Sequence, residues 1–416
     1  VVLLSLLLFA CGPDPDTVAG DDSGAAGTSD GGATAVADVT WADVQPVLVD
    51  NCYGCHAEGG IAVSLQGYDD ASVWADAMAQ AVSQGRMPPW PPTTDCLPLR
   101  DVRGLTDDEI TLLVDWADAG APQGAGVDQD LPAVGEIDGD IEVQIPDPYT
   151  PDDNLSDDYR CFVVDPGVDE DVFITSFQAI PGNTAIVHHV LLYDDVDGRS
   201  VALDEADPGP GYACFGGPGF DESNTLGGWV PGMENGAVFP EGTGVRLRAG
   251  SKLVLQIHYS PAQDPGRPDQ TAMALFTAAD PVTELYLIPF YDADLDIPAG
   301  ASDHVEGGST VNDYVQFRLW GLTPHMHKLG KQISAGLLRD GSDQCLIDVP
   351  DWDFAYQQFY FFEDPYVVEL GDELWLQCVY DNSASNPDNP HSPPIDVHWG
   401  DGTGDEMCLV YAMASL

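Results

Sequence analysis

Apolar positions recur along this chain with two different periods, and the change falls near residue 136. Between about 39 and 125 the spacing is helical. Val44, Leu48 and Val49 make one apolar face, and Val73, Ala77, Met78 and Val82 make another across 69–84. Thr106-Asp107-Asp108-Glu109 has the form of a capping box. Ile110, Leu113, Val114 and Trp116 follow it as one stripe, and Gly120 is placed to end that helix. Three or so short helices are predicted. From about 136 onward, short alternating or wholly apolar runs take over at 186–193, 253–259, 285–290, 316–322, 374–380 and 408–413. Clusters of Gly, Pro and Asp separate them, which is the texture of strands, most simply β-sandwiches with long loops. The region is too long for one sandwich, and a second group of motifs begins after Pro289, so the division is set at 136–290 and 291–416.

The amino-terminal end has a different character. Residues 1–10 are nearly all apolar, too few to span a bilayer, and match the size of a signal-peptide core. Leu8-Phe9-Ala10-Cys11-Gly12 resembles a bacterial lipobox, with 1–11 as the leader and Cys11 as the lipidated residue. Residues 12–38 carry hardly a large apolar side chain and read as a flexible tether. The expected location is the bacterial cell envelope, periplasmic or cell-surface, held to the membrane through the lipid alone. With 70 acidic residues against 13 Lys and Arg and a formal charge of -57, nucleic acid is excluded as a partner.

Chemistry enters first at Cys52-Tyr53-Gly54-Cys55-His56. Two thiols at this spacing can form thioethers to haem vinyls while the next residue, His56, coordinates the iron. A zinc site would need two further ligands, and nearby sequence offers only Cys96. Gly85-Arg86-Met87-Pro88 is similar to the loop that supplies the sixth ligand in class I cytochromes c, which points to Met87; Met78 is the rival, inside a helical period. Residues 39–125 therefore read as a small all-α cytochrome c domain, whose His/Met haem would carry electrons. Of nine cysteines, Cys11, Cys52 and Cys55 are accounted for. The even remainder, in an oxidising compartment, is expected to form disulfides.

A second set of donors follows: His188-His189, His258, His325-Met326-His327 and Met407. Each is ordinary alone. A doublet in a strand points its rings to opposite faces, so one metal can take both only at a bulge or a strand end. His325 and His327 at period two would share a face of one strand. His258 alone would be a core histidine, and Met407 alone a core methionine.

In combination and order they resemble the copper type II, ascorbate-dependent monooxygenases, the group of the peptidylglycine α-hydroxylating and dopamine β-monooxygenases. The matching stretches are Val187-His188-His189-Val190-Leu191-Leu192, Leu255-Gln256-Ile257-His258-Tyr259, Pro324-His325-Met326-His327-Lys328-Leu329-Gly330-Lys331 and Asp405-Glu406-Met407-Cys408. The resemblance implies two all-β sandwich domains with one copper each. His188, His189 and His258 would hold the electron-transfer copper, and His325, His327 and Met407 the catalytic one. It further implies hydroxylation of a C–H bond of a small organic substrate with O2, electrons arriving through the haem, ascorbate or both. A non-catalytic redox or copper-binding lipoprotein is the alternative. Cys378 and Cys408 match the family's disulfide beside the methionine ligand, leaving Cys96, Cys161, Cys214 and Cys345 with three pairings open. Tyr411 matches a substrate-contacting tyrosine. Thr323 and Leu409 stand where peptide-amidating members carry an arginine and an asparagine, which argues against a peptide substrate.

Overall fold

The computed structural model describes residues 39–57, 62–125, 128, 139–155, 157–220, 224–230, 233, 236–261, 264–278, 282–354, 356–400, 402 and 404–416. The leader at 1–11, Cys11 and the tether at 12–38 lie outside the described residues. Among the described residues, no helix is long and apolar enough to cross a membrane.

Five helices form the first unit: α1 (Trp41–Asn51), α2 (Tyr53–His56), α3 (Tyr68–Val73), α4 (Ala75–Ser83) and α5 (Asp107–Asp118). Val44 and Leu48 of α1 close on Leu113 and Trp116 of α5, with the Trp41 and Trp116 ring centroids 5.8 Å apart. The capping box is formed in both directions. The Thr106 hydroxyl accepts from Glu109 N–H, and the Glu109 carboxylate accepts from Thr106 N–H at 2.8 Å. The 69–84 stretch differs from expectation. It is interrupted at Trp74, and the buried face is Ala71, Ala75, Met78 and Val82, spaced 4-3-4 as one helical stripe, while Val73 is 76% exposed.

The first β-sandwich contains β1 (Ile141–Gln144), β2 (Asp158–Val164), β3 (Val172–Ile180), β4 (Val187–Asp195), β5 (Tyr212–Ala213), β6 (Asn224–Trp229), β7 (Ala237–Val238), β8 (Thr243–Leu247), β9 (Lys252–Tyr259), β10 (Ala272–Ala278) and β11 (Thr283–Glu284). One sheet runs β1-β10-β3-β8-β11 with β7 on β3, and the other runs β5-β2-β9-β4-β6. Phe162, Val190, Leu192, Leu255 and Ile257 face Phe177 and Met273 across the core. One helix, α6 (Arg199–Ala206), interrupts this region.

The second sandwich follows with β12 (Tyr286–Asp292), β13 (Asp296–Ile297), β14 (His304–Val311), β15 (Phe317–His325), β16 (Gly330–Arg339), β17 (Ser342–Val349), β18 (Tyr360–Val368), β19 (Glu373–Tyr380), β20 (Val397–His398) and β21 (Cys408–Ser415). Its sheets are β12-β21-β15-β18 and β14-β19-β16-β17, with β13 and β20 paired separately. Strand β12 pairs with β21 from Tyr286 to Asp292, so the second sandwich starts at 286 rather than 291. Pro289 lies within this strand opposite Tyr411, and an edge position lets a proline go without its ladder hydrogen bond. Met413 and Phe361 of this sheet are buried in the core cluster of the first sandwich, so the sheet is covered on both faces. Two-sided burial explains why β21 reads as a nearly continuous apolar run rather than an alternating one.

The connection between α4 and α5 is tied to the second sandwich. Arg100 N–H donates to Phe361 O, and Glu363 N–H donates to Pro98 O, both at 2.9 Å. Disulfides join Cys96 to Cys345, Cys161 to Cys214 and Cys378 to Cys408. The last is the pair implied by the resemblance, and the first two settle the pairings left open.

Candidate metal centres

His188 and His189 lie on β4 where its pairing with β9 slips. Val187 stands opposite Tyr259 and His189 opposite His258, so His188 is the extra residue. That bulge lets both rings of the doublet turn toward His258. The Nδ1 atoms of His188 and His258 each stand 3.4 Å from His189 Nδ1, and the three donor atoms all lie within 4.8 Å of one another. Metal–nitrogen bonds of about 2.0 Å around a trigonal centre give edges of roughly 3.4 Å, which the two His189 edges match. On the far side of the His258 ring, Nε2 lies 2.8 Å from Asp157 Oδ1. Tyr159 stacks on the same ring, with centroids 4.1 Å apart. Such outer partners fix which nitrogen faces the metal.

The second histidine pair differs from the two-in-one-strand expectation. His325 is the last residue of β15, and His327 lies beyond the strand. The chain is turned there by Glu406, whose carboxylate accepts from the N–H groups of His327 and Leu329. The imidazole centroids are 5.1 Å apart. His325 Nδ1 is 2.7 Å from Gln357 Oε1 and His327 Nδ1 is 3.0 Å from Asp405 O. Each Nδ1–H therefore donates to an oxygen, leaving both Nε2 lone pairs for a metal. His325 is paired with Leu409 across the sheet, so the same register continued two residues brings 407 level with 327. Met407 lines one cleft with all five of these histidines. Two imidazoles and a soft thioether suit copper, particularly Cu(I).

Burial sets the charge state of these rings. It pushes His188 down to about 4, His325 to about 3 and His327 to about 4, and it holds His189 well below the ordinary histidine value. All four are neutral near pH 7 and so present lone pairs rather than protons. Burial raises Glu406 to about 8, against the backbone N–H groups that favour its carboxylate. Phe354 lies between the two sets, 5.2 Å from the His188 ring and 5.9 Å from that of His327. Tyr411 and Thr323 face each other across β21 and β15, and both line the cleft.

Asp157, Gln357 and Glu406 were not singled out in the sequence. Only Glu406 left a trace, as one acid set beside the apolar run of β21. Asp157 and Gln357 reach their histidines from 101 and 32 positions away, a distance over which no local pattern operates.

Cys52 follows the end of α1, and Tyr53-Gly54-Cys55-His56 form α2. Cys52 and Cys55 form no disulfide, whereas the six downstream cysteines are all disulfide-bonded. Burial pushes the Cys52 thiol up to about 12. His56 Nδ1 is 2.7 Å from Val63 O, which leaves Nε2 as its free donor. This donor set fits a covalently attached haem. Met87 sits in the loop after α4, 41% exposed, in contrast to Met78, which is packed in the helical core. His304 and His391 are engaged locally, with Glu306 and Gly404 O.

Two β-sandwiches line one cleft, with three imidazoles on the first and two imidazoles plus a thioether on the second. Residues 285–414 match the family described as copper type II ascorbate-dependent monooxygenase, C-terminal domain. The chain is 26% identical over 255 residues to DBH-like monooxygenase protein 1 of Gallus gallus, covering 55% of this chain and 39% of that one. It is 28% identical over 268 residues to peptidylglycine alpha-amidating monooxygenase of Rattus norvegicus, covering 62% and 25%. DBH-like monooxygenase protein 2 of Mus musculus is 28% identical over 288 residues, covering 63% and 43%. The chain thus spans well under half the length of the relatives it matches.

Proposed function

We propose that this chain is an exported copper monooxygenase that hydroxylates a C–H bond of a small organic substrate with O2. In this reading His188, His189 and His258 hold the electron-transfer copper, and His325, His327 and Met407 hold the catalytic one. The observation that carries it is the single cleft lined by both donor sets. Copper supplies the one-electron steps and the site at which O2 is reduced. The chain's own residues do the rest. Asp157, Gln357 and Asp405 O orient the rings, Glu406 pins the turn that carries His327, and Phe354 limits the water between the two sets.

In the same reading the helical unit is a class I-like cytochrome c domain. Its haem is bound through Cys52, Cys55 and His56, with Met87 as sixth ligand, and it supplements or replaces ascorbate as the electron donor. The support is positional. Residues 98–100 are hydrogen-bonded to Phe361 and Glu363, and Trp90 packs edge-on against Tyr360 with centroids 5.5 Å apart. The segment so contacted is the one that supplies Phe354 and Gln357 to the copper cleft. Lipidation at Cys11 would hold the whole at the cell envelope.

The test is O2 uptake by copper-loaded protein with ascorbate or reduced haem as donor, beside Met407→Ala. A monooxygenase loses turnover in the variant while the three-histidine copper keeps its EPR signal. A copper-binding or purely redox protein has no turnover to lose and sheds only part of its copper.

A further inference from the structure

The cleft has a chemical character that the ligand set does not dictate. Charged residues make up 20% of the chain, yet among the described residues lining the cleft there is no Asp, Glu, Lys or Arg. The apolar part of its wall is Trp229, Met233, Leu287, Phe359 and Leu409, beside neutral polar groups such as Gln256, Gln358 and Tyr411. An ammonium group would meet no counter-charge there. A carboxylate would find no Lys or Arg there. Ion desolvation without a partner is costly enough to reject both.

Size narrows the class further. The cavity is about 170 Å³, close to the roughly 150 Å³ cavity that accommodates a benzene ring. One polar atom in it is unspoken for. The Thr323 hydroxyl is buried and makes no hydrogen bond, a condition that costs stability unless a ligand completes it. Thr323 and His325 lie two apart on β15, so they project from the same face, about 7 Å apart along the strand. A group held by Thr323 therefore sets a carbon one ring's width away beside the second copper site.

We propose that the substrate is a neutral, single-ring-sized apolar compound with one hydrogen-bonding group, which Thr323 reads. This rests on the monooxygenase reading and adds the substrate class to it. Thr323 is a specificity residue, and its hydroxyl orients the ring so that an activated C–H faces His325, His327 and Met407.

The test uses four matched probes: 4-ethylphenol, ethylbenzene, 4-ethylbenzoate and 4-ethylbenzylamine. Binding to the copper-loaded full chain is followed by tryptophan fluorescence, since Trp229 lines the cleft. 4-Ethylphenol is expected to bind at least tenfold tighter than either ion. Thr323→Val should weaken 4-ethylphenol about fivefold, as the loss of one neutral hydrogen bond does, and leave ethylbenzene unchanged. Thr323→Ser should restore most of the loss. An ion that binds as tightly as 4-ethylphenol overturns the proposal, as does an equal loss for phenol and hydrocarbon in the valine variant, or no binding of any probe at millimolar concentration. Copper content and EPR of the same samples separate the two ideas. Two coppers with ionic preference sink the substrate class alone; neutral preference without copper sinks the monooxygenase and leaves a binding cleft.

Discussion

Phe354 stacks on His188, with ring centroids 5.2 Å apart and planes 23° from parallel. His188 belongs to the first sandwich, whereas Phe354 lies on the segment leading into β18 of the second. The contact therefore spans the cleft, and the same phenyl ring meets His327 edge-on. An apolar ring in that place stands between the two donor sets and can ligate neither.

Phe354→Ala should leave both metal sites loaded and open the space between them. Substrate hydroxylation is expected to fall by about tenfold, since small losses of positioning cost one to two orders of magnitude in rate. O2 consumed per product formed should rise above one. Metal analysis together with the ratio of oxygen uptake to product checks both halves, and loss of copper from the variant would show that the ring holds the site together instead.

Asp157 touches no metal in this reading, yet its carboxylate lies 2.8 Å from His258 Nε2. That contact directs Nδ1 toward His188 and His189. Asp157→Asn should weaken copper at the three-histidine site by about 10- to 100-fold, the usual cost of an outer partner, and leave the His325/His327/Met407 site unchanged. Competitive copper titration with a chelator distinguishes them. An equal loss at both sites would indicate a general fault in folding.

The candidate donors can be named from the sequence, because an imidazole or a thioether is a side-chain identity and needs no coordinates. The strands at 187–195, 252–259 and 408–415 were legible too, since burial on both faces writes a continuous apolar run. What could not be read is the geometry that makes the donors a site. Nothing in Val187-His188-His189 announces a bulge, and nothing in the His325 segment announces that β15 ends there, because the cause, Glu406, sits 79 positions from His327. Strand β14 was also missed. His304–Val311 is mostly exposed and contains Gly307 and Gly308, so it carries neither alternation nor apolar bulk.

The disulfide Cys378–Cys408 ties β19 to the start of β21, one residue after Met407. It closes a loop of 30 residues, for which chain entropy gives about 3–4 kcal/mol of stabilisation. The double variant Cys378→Ser/Cys408→Ser should lose about that much in urea unfolding. It should also lose copper from the methionine-containing site first, because the strand bearing Met407 is released. Full retention of that copper would show that the β15–β21 pairing suffices.

Arg339 and Asp372 predict a pH effect away from the cleft. The guanidinium binds the carboxylate with two hydrogen bonds, Nε to Oδ1 at 2.7 Å and Nη2 to Oδ2. Those bonds hold the Asp372 carboxyl below its ordinary value, although burial pushes the other way. A carboxyl depressed in the folded state contributes stability that is complete above its unfolded pKa and is lost as the pH falls through the folded one. Asp372→Asn should therefore destabilise the protein by about 1–3 kcal/mol near pH 7. The gap to the parent should close as the solution is acidified below the usual aspartate range. Melting temperatures from pH 7 to 3 check this, and a gap constant with pH would remove the ion pair from the account.

Tyr356 offers a test of electron delivery from the helical unit. Its ring is buried, the Arg103 guanidinium lies 6.0 Å from its centroid, and it is two residues from Phe354 and one from Gln357. Burial raises its hydroxyl above the usual tyrosine value, and the Cys55 thiol is close enough to add to that rise. In the proposed reading Tyr356 therefore stands between Cys55 of the haem motif and the cleft residues Phe354 and Gln357. If the haem feeds the copper, adding Cu(II) anaerobically to haem-reduced protein should oxidise about one haem per chain, with the loss of the ferrous absorption matched by loss of the Cu(II) EPR signal. Tyr356→Leu should slow that step by about tenfold or more with haem and copper content unchanged, whereas Cys52→Ser/Cys55→Ser should abolish it by removing the covalent haem. A ferrous haem that persists beside fully bound Cu(II) would mean that the two redox units work independently, and that ascorbate or another soluble donor serves the cleft.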